Sequence, residues 1–289
     1  MPAYLVIFWT YTFALLLLWI YIVSCFSKDV FFNLYVNRAR TLLFKPVTWV
    51  QSITPKCPEW AAASLLLVFI LLLRCALAKT AGKPLQHVIG NVVMMANLKS
   101  FPASALFSFL SFLIVIGQIN LIRLALVLRF GDKTNNAVVE CLKTVSAPLS
   151  IPKPRTSAIL TVIGLLITTS LLMLTTANNF PPTQIGGIEF ANPYRYTILF
   201  AVKASLFVIL DILALVKYGL ILLIILSLAG LAFRNLTVIG MANEWLGTVS
   251  RVFFKNPIGI GMLDFTPLLL YYVFGIAHTL LINFVDGLI

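Results

Sequence analysis

Residues 238–267 read VIGMANEWLGTVSRVFFKNPIGIGMLDFTP, between apolar runs at 197–233 and 265–285. On a helical wheel Val238, Ala242, Trp245, Leu246, Val249 and Phe253 oppose Asn243, Glu244, Gly247, Arg251 and Lys255. A helix that is basic on one side and aromatic on the other settles at the boundary between headgroups and acyl chains. Pro257 stops it, and Gly259 and Gly261 permit a sharp exit. Asp264-Phe265-Thr266-Pro267 then supplies N-capping oxygens and a proline suited to a first turn. The chain dives into a membrane, runs along its surface and dives back.

The same unit occurs twice more. Apolar runs at 3–26 and 60–78 flank an amphipathic segment at 30–51, and runs at 103–129 and 157–177 flank one at 136–149. In the first, Phe32, Tyr35, Val36, Ala39, Leu42, Leu43 and Val50 oppose Asn33, Asn37, Arg38, Arg40, Thr41, Lys45, Thr48 and Gln51. In the second, Val138, Cys141, Leu142 and Val145 oppose Asn136, Glu140 and Lys143. Pro55 and Pro58, then Pro152 and Pro154, occupy the exits, and Ser64 and Ser157 are suited to open the descending helices. The expected fold is all-α and polytopic, with about six transmembrane helices in three hairpin repeats, 1–80, 81–195 and 196–289, each with an in-plane amphipathic helix. Leu85, Val88, Ile89 and Val92 hint at a further surface helix within 79–102.

Composition excludes the alternatives. Apolar residues make up 61% of the chain and charged ones 10%, which no soluble domain of this length shows. The net charge of +12 comes from bases flanking hydrophobic spans, so topology and anionic lipid explain it better than nucleic acid. Ile22-Val23-Ser24-Cys25 matches a lipoprotein cleavage box, but no Lys or Arg precedes the apolar run, which reads as a retained membrane helix. Four cysteines without C-x-x-C spacing and two distant histidines imply neither a disulfide framework nor a histidine metal site. Glycine-rich phosphate loops, Ser-His-Asp sets and paired catalytic carboxylates are missing, so neither an enzyme nor a cofactor is expected.

Of 21 Lys and Arg residues, 13 fall in the three segments carrying the amphipathic helices. The positive-inside rule therefore puts those helices on the cytoplasmic face and both termini outside. Arg38, Arg40, Lys45, Lys143, Arg251 and Lys255 are the expected contacts to anionic headgroups. Asp264 reads as a helix cap, with a salt bridge to Lys255 or Arg251 that would lock the turn as the alternative.

The run 197–233 is too long for one pass, so an interfacial or re-entrant start is expected up to Lys217-Tyr218-Gly219, followed by a single span. Lys203, Asp211 and Lys217 would then be wet; the alternative is that they line an ion path. Asp211 and Lys217 stand six apart and share no helical face. Arg74 and Arg123 are expected to snorkel to headgroups, with a buried ion pair as the alternative. Gln118, Asn120 and His278 are expected to hydrogen-bond between helices, with haem ligation as the alternative for His278.

Gly259-Ile260-Gly261-Met262-Leu263-Asp264-Phe265-Thr266-Pro267 resembles the repeated motif of the YggT (YlmG) family of small bacterial and plastid membrane proteins. Lys217-Tyr218-Gly219-Leu220-Ile221 resembles the start of a family helix. Pro46, Pro55, Pro58 and Ala63-Ser64-Leu65-Leu66 look like a degenerate first copy, with Glu59-Trp60-Ala61 where the family carries its acidic motif. The likeness covers 1–80 and 200–289, and residues 81–195 form an extra, divergent unit. It implies a non-enzymatic scaffold or assembly and accessory factor of a bacterial inner membrane. Its partners would be anionic lipids and other integral membrane proteins, met through small-residue stretches such as Ala61-Ala62-Ala63-Ser64 and Ser227-Leu228-Ala229-Gly230. The alternatives are an ion-conducting or osmotic-stress transport protein and a fixed subunit of an energy-converting complex.

Overall fold

The computed structural model describes residues 3–26, 33–80, 85–89, 92–96, 100–130, 136–149, 153–177, 184–185, 188–189, 197–232, 234, 236–254, 256, 258–260 and 263–288. Expectations for Pro152, Lys255, Pro257 and the side chain of Asp264 lie outside the described residues.

Long and short helices alternate. The long ones are α1 (Ala3–Ser24), α3 (Glu59–Thr80), α4 (Phe101–Phe130), α6 (Pro154–Ala177), α7 (Thr197–Ala232) and α9 (Thr266–Leu288), and the short ones α2 (Leu34–Ile53), α5 (Ala137–Val145) and α8 (Leu236–Phe253). Five of them, α3, α4, α6, α7 and α9, are long and apolar enough to cross a membrane. The apolar stretch described in α1 runs from Thr10 to Ser24.

Each long helix packs most extensively on the next long one, α1 on α3, α4 on α6 and α7 on α9. The pairs are antiparallel: Tyr21 meets Glu59, Asn120 meets Thr161, and Asp211 meets His278. Gly117 sets the closeness of α4 to α6, since a Cβ there would come within 2.6 Å of Leu165 Cδ2. The largest apolar core gathers Cys75, Phe107, Leu172, Phe207, Val208 and Ile282 from α3, α4, α6, α7 and α9.

Three local expectations change. The segment after α3 is a hairpin, β1 (Leu85–Ile89) antiparallel to β2 (Val92–Ala96), packed among α1, α4, α6 and α7. The sequence between the paired Ile89 and Val92 is Gly-Asn, a two-residue hairpin signal, and β-branched residues flank it on both sides. Smaller hairpins, β3 (Gln184–Ile185) with β4 (Ile188–Glu189) and β5 (Gly259–Ile260) with β6 (Leu263–Asp264), precede α7 and α9.

Ser64 and Ser157 lie inside their helices rather than capping them, donating to the carbonyls of Trp60 and Leu149. Asp264 contributes its backbone to β6, and Thr266, buried at the start of α9, accepts from the Ile258 amide at 2.7 Å.

Pro154, expected in the exit turn, instead begins α6, and Pro46 lies inside α2. Pro154 and Pro267 occupy the first turns of α6 and α9, where a missing amide costs nothing. Thr54-Pro55-Lys56-Cys57 is a closed turn, with the Cys57 amide 3.1 Å from the Thr54 carbonyl and Lys56 at φ 82°. The Pro58 carbonyl accepts from Ala61 and Ala62 in the first turn of α3.

Candidate functional site

The run expected to break near residue 217 is one unbroken helix of 36 residues, about 54 Å long at 1.5 Å per residue. The expected re-entrant break at Lys217-Tyr218-Gly219 is corrected: the helix runs through it without interruption. Across the seam, α9 supplies a partner for Lys203, Asp211 and Lys217.

Lys203 Nζ meets Asp286 Oδ1 at 2.7 Å, and Asp211 Oδ1 meets His278 Nε2 at 3.0 Å. Both residue pairs are spaced by eight along antiparallel helices, so they fall on one seam about 12 Å apart. Lys217 Nζ lies over the rings of Tyr271 at 5.2 Å and Tyr218 at 5.4 Å. It rests against Gly275, where a Cβ would approach the ammonium to 3.2 Å.

Depth separates the two ion pairs. Asp286 is close to the end of α9 and its side chain is 49% exposed, whereas Asp211 and His278 are 13% and 18% exposed. His278 is the midpoint of α9, so its pair falls in the middle of the span. Two lysines and two aspartates leave the seam neutral while His278 is uncharged, which is how ionisable groups become tolerable in hydrocarbon. A carboxylate at Asp211 requires the proton of His278 on Nε2, leaving Nδ1 as the acceptor. His278 thus bonds between helices, as expected.

The α4–α6 seam is polar by other means. Asn120 donates to Thr161 at 2.6 Å, and Arg123 donates to Asn120 at 2.9 Å and to Ser157 at 3.3 Å. Gln118 donates to the Val208 carbonyl of α7 at 2.9 Å. Arg123 and Arg74 are 3% and 6% exposed, and Arg74 donates to Ser108 on α4. Neither arginine snorkels, because each sits on a helix face that a neighbour covers with hydroxyls or amides. His87, on β1, is likewise enclosed; burial, followed by the charge of Arg74, pushes its imidazole down to about 3.

The three amphipathic helices gather at one end of the molecule. Asn33 caps α2 by accepting from the Tyr35 and Val36 amides, and Asn136 caps α5 by accepting from Val138 and Val139. Each cap then reaches the next unit. Asn33 donates to the Ala137 carbonyl at 2.7 Å, and Asn136 donates to Thr248 of α8 at 3.1 Å. Tyr35 closes the set, donating to Glu244 at 2.6 Å and packing edge-on against Trp245. Burial and that hydrogen bond push the Tyr35 phenol well above its usual range.

The apolar face of α5 turns to the protein rather than to lipid, and those of α2 and α8 do so in part, with Leu42 and Phe253 left exposed. Val138, Val139, Cys141, Leu142 and Val145 of α5 are buried, as are Val36, Ala39 and Val47 of α2 and Ala242 and Leu246 of α8. Lipid-like exposure remains on the outer edge of α2, where Leu34, Leu42, Trp49 and Ile53 alternate with exposed Arg38 and Lys45. Lys143 and Arg251 are exposed too. Arg40 faces inward, paired with Glu59 at 3.2 Å and lying over the Tyr21 ring. Among the described residues no group of three His, Cys, Asp or Glu could hold a metal ion.

Comparisons with the profiles of known protein families, with curated proteins and with solved structures find no match.

Proposed function

We propose that this chain is a non-enzymatic integral membrane scaffold or assembly factor of the YggT type, with six spans arranged as three repeated hairpins. The observation that carries the reading is the layer formed by α2, α5 and α8. Those helices lock to one another through caps and Tyr35, so they build a rigid platform rather than three separate anchors. The outer edge of α2 suits the boundary of an anionic leaflet, with Trp49 and Leu42 in the acyl region and Arg38 and Lys45 at the phosphates. Lys143 and Arg251 extend the same basic rim on the cytoplasmic face of a bacterial inner membrane. Larger membrane assemblies would be met by lateral packing of the lipid-facing helices.

Purification of the native chain in a gentle detergent, followed by mass spectrometry, tests this. A reproducible set of integral membrane partners, lost when Arg38 and Lys45 are reversed to Glu, is the expected outcome. A homo-oligomer carrying nothing else, unaffected by the reversal, would sink the scaffold. A second reading, ion movement through the membrane, is favoured by one observation: the charged seam of α7 and α9 has its Asp–His pair at mid-span.

A further inference from the structure

Resting on that second reading, we infer that the ion is the proton and that Asp211 with His278 is its binding site, held closed between an apolar layer and a fixed cation. With the carboxylate bound to Nε2–H, the Nδ1 lone pair of His278 takes up a proton and gives an imidazolium beside a carboxylate. No other bond forms or breaks, and release is the reverse step. A hard metal cation fits poorly, since it asks for several oxygens and the pair offers one carboxylate whose Oδ1 is already engaged.

Both exits from the site are guarded. Toward Asp286 lies the turn of helix carrying Phe207 and Ile282, each 1% exposed and members of one apolar cluster. That layer lies within the roughly 12 Å between the two ion pairs. Toward the amphipathic layer lies Lys217, seated at Gly275, three residues from His278 along α9. Its ammonium repels an arriving proton. Such a site exchanges protons slowly unless the helices shift.

Other ionisable groups lie on these two helices and on the elements packed against them. On α7 and α9 they are Lys203, Lys217, Tyr218, Tyr271, Tyr272 and Asp286. From the elements packed against them come Arg123 and Arg129 of α4, Arg155 of α6, Glu244 and Arg251 of α8, and His87 of β1. Arg123 is held by Asn120 and Ser157, and Glu244 by Tyr35.

The test uses the full chain in liposomes of phosphatidylethanolamine and phosphatidylglycerol with a trapped pH dye, challenged by a pH step. Parallel vesicles carry dyes for sodium, potassium and chloride. Slow proton entry above empty liposomes is expected, falling to the empty-liposome level in Asp211→Asn and in His278→Gln. Lys217→Gln is expected to raise proton entry several-fold, a gain that misfolding cannot produce if the vesicles stay tight to the other ions. Proton entry unchanged by His278→Gln, or not raised by Lys217→Gln, overturns the site. Flux of another ion without protons overturns the proton and leaves ion movement standing. No flux of any ion, in the native chain or in Lys217→Gln, removes both.

Discussion

The α4–α6 and α7–α9 hairpins meet the same difficulty, polar side chains between two apolar helices, with different chemistry. In α4–α6 a buried arginine is surrounded by an amide and hydroxyls, and Gly117 brings the helices close enough for those short side chains to reach. In α7–α9 longer side chains bridge the seam, as an ion pair at Lys203–Asp286 and a hydrogen bond at Asp211–His278. The first arrangement is rigid and short-ranged. The second tolerates separation, since lysine and aspartate retain attraction over distances at which a hydroxyl has lost its hydrogen bond.

That contrast can be broken at graded points. Asn120→Leu removes an acceptor from Arg123 and a donor to Thr161, and should cost about 3 kcal/mol in unfolding titrations in detergent. A cost below about 1 kcal/mol would show that Arg123 does not depend on the amide. Gly117→Val should force α4 from α6 and cost about 2 kcal/mol, whereas Gly164→Val, with open space around its Cβ, should spare the seam. A double-mutant cycle of Asp211→Asn with His278→Gln should give a coupling of about 1 kcal/mol, typical of hydrogen bonds between membrane helices. The smallest effect belongs to Lys203→Met with Asp286→Asn, coupled by roughly 0.5 kcal/mol because Asp286 is half-exposed and water screens the pair. If that outer pair coupled more strongly than the mid-span one, the order of depth along the seam would be wrong.

Much of this architecture is legible in the residues. Apolar runs place the long helices, and wheel faces place α2, α5 and α8, because periodicity reports burial whatever the burying partner is. It does not report who that partner is. The buried stripe of α5 reads the same whether lipid or protein covers it, so its place inside the layer was hidden. Asp211 and His278 stand 67 residues apart, and only the pairing of α7 with α9 makes either intelligible. The length of 197–233 argued for a break, yet the helix is continuous. Val88-Ile89-Gly90-Asn91-Val92-Val93 did carry the hairpin signal, outweighed by a weak helical spacing of the same apolar residues. Asn33, Asn136 and Asn235 each stand immediately before a short helix, a recurrence the polar-face reading passed over.

The bond from Tyr35 to Glu244 spans 209 residues of sequence. At a ribosomal rate of about 5–20 residues per second, the first amphipathic helix waits roughly 10–40 s for its closing partner to be made. During that interval its half-finished underside faces the translocon or the bilayer, and any membrane chaperone that shields such surfaces would find its client here. Interrupting translation between the second and third hairpins would therefore strand a chain whose quality-control signal is the uncovered side of α2 and α5.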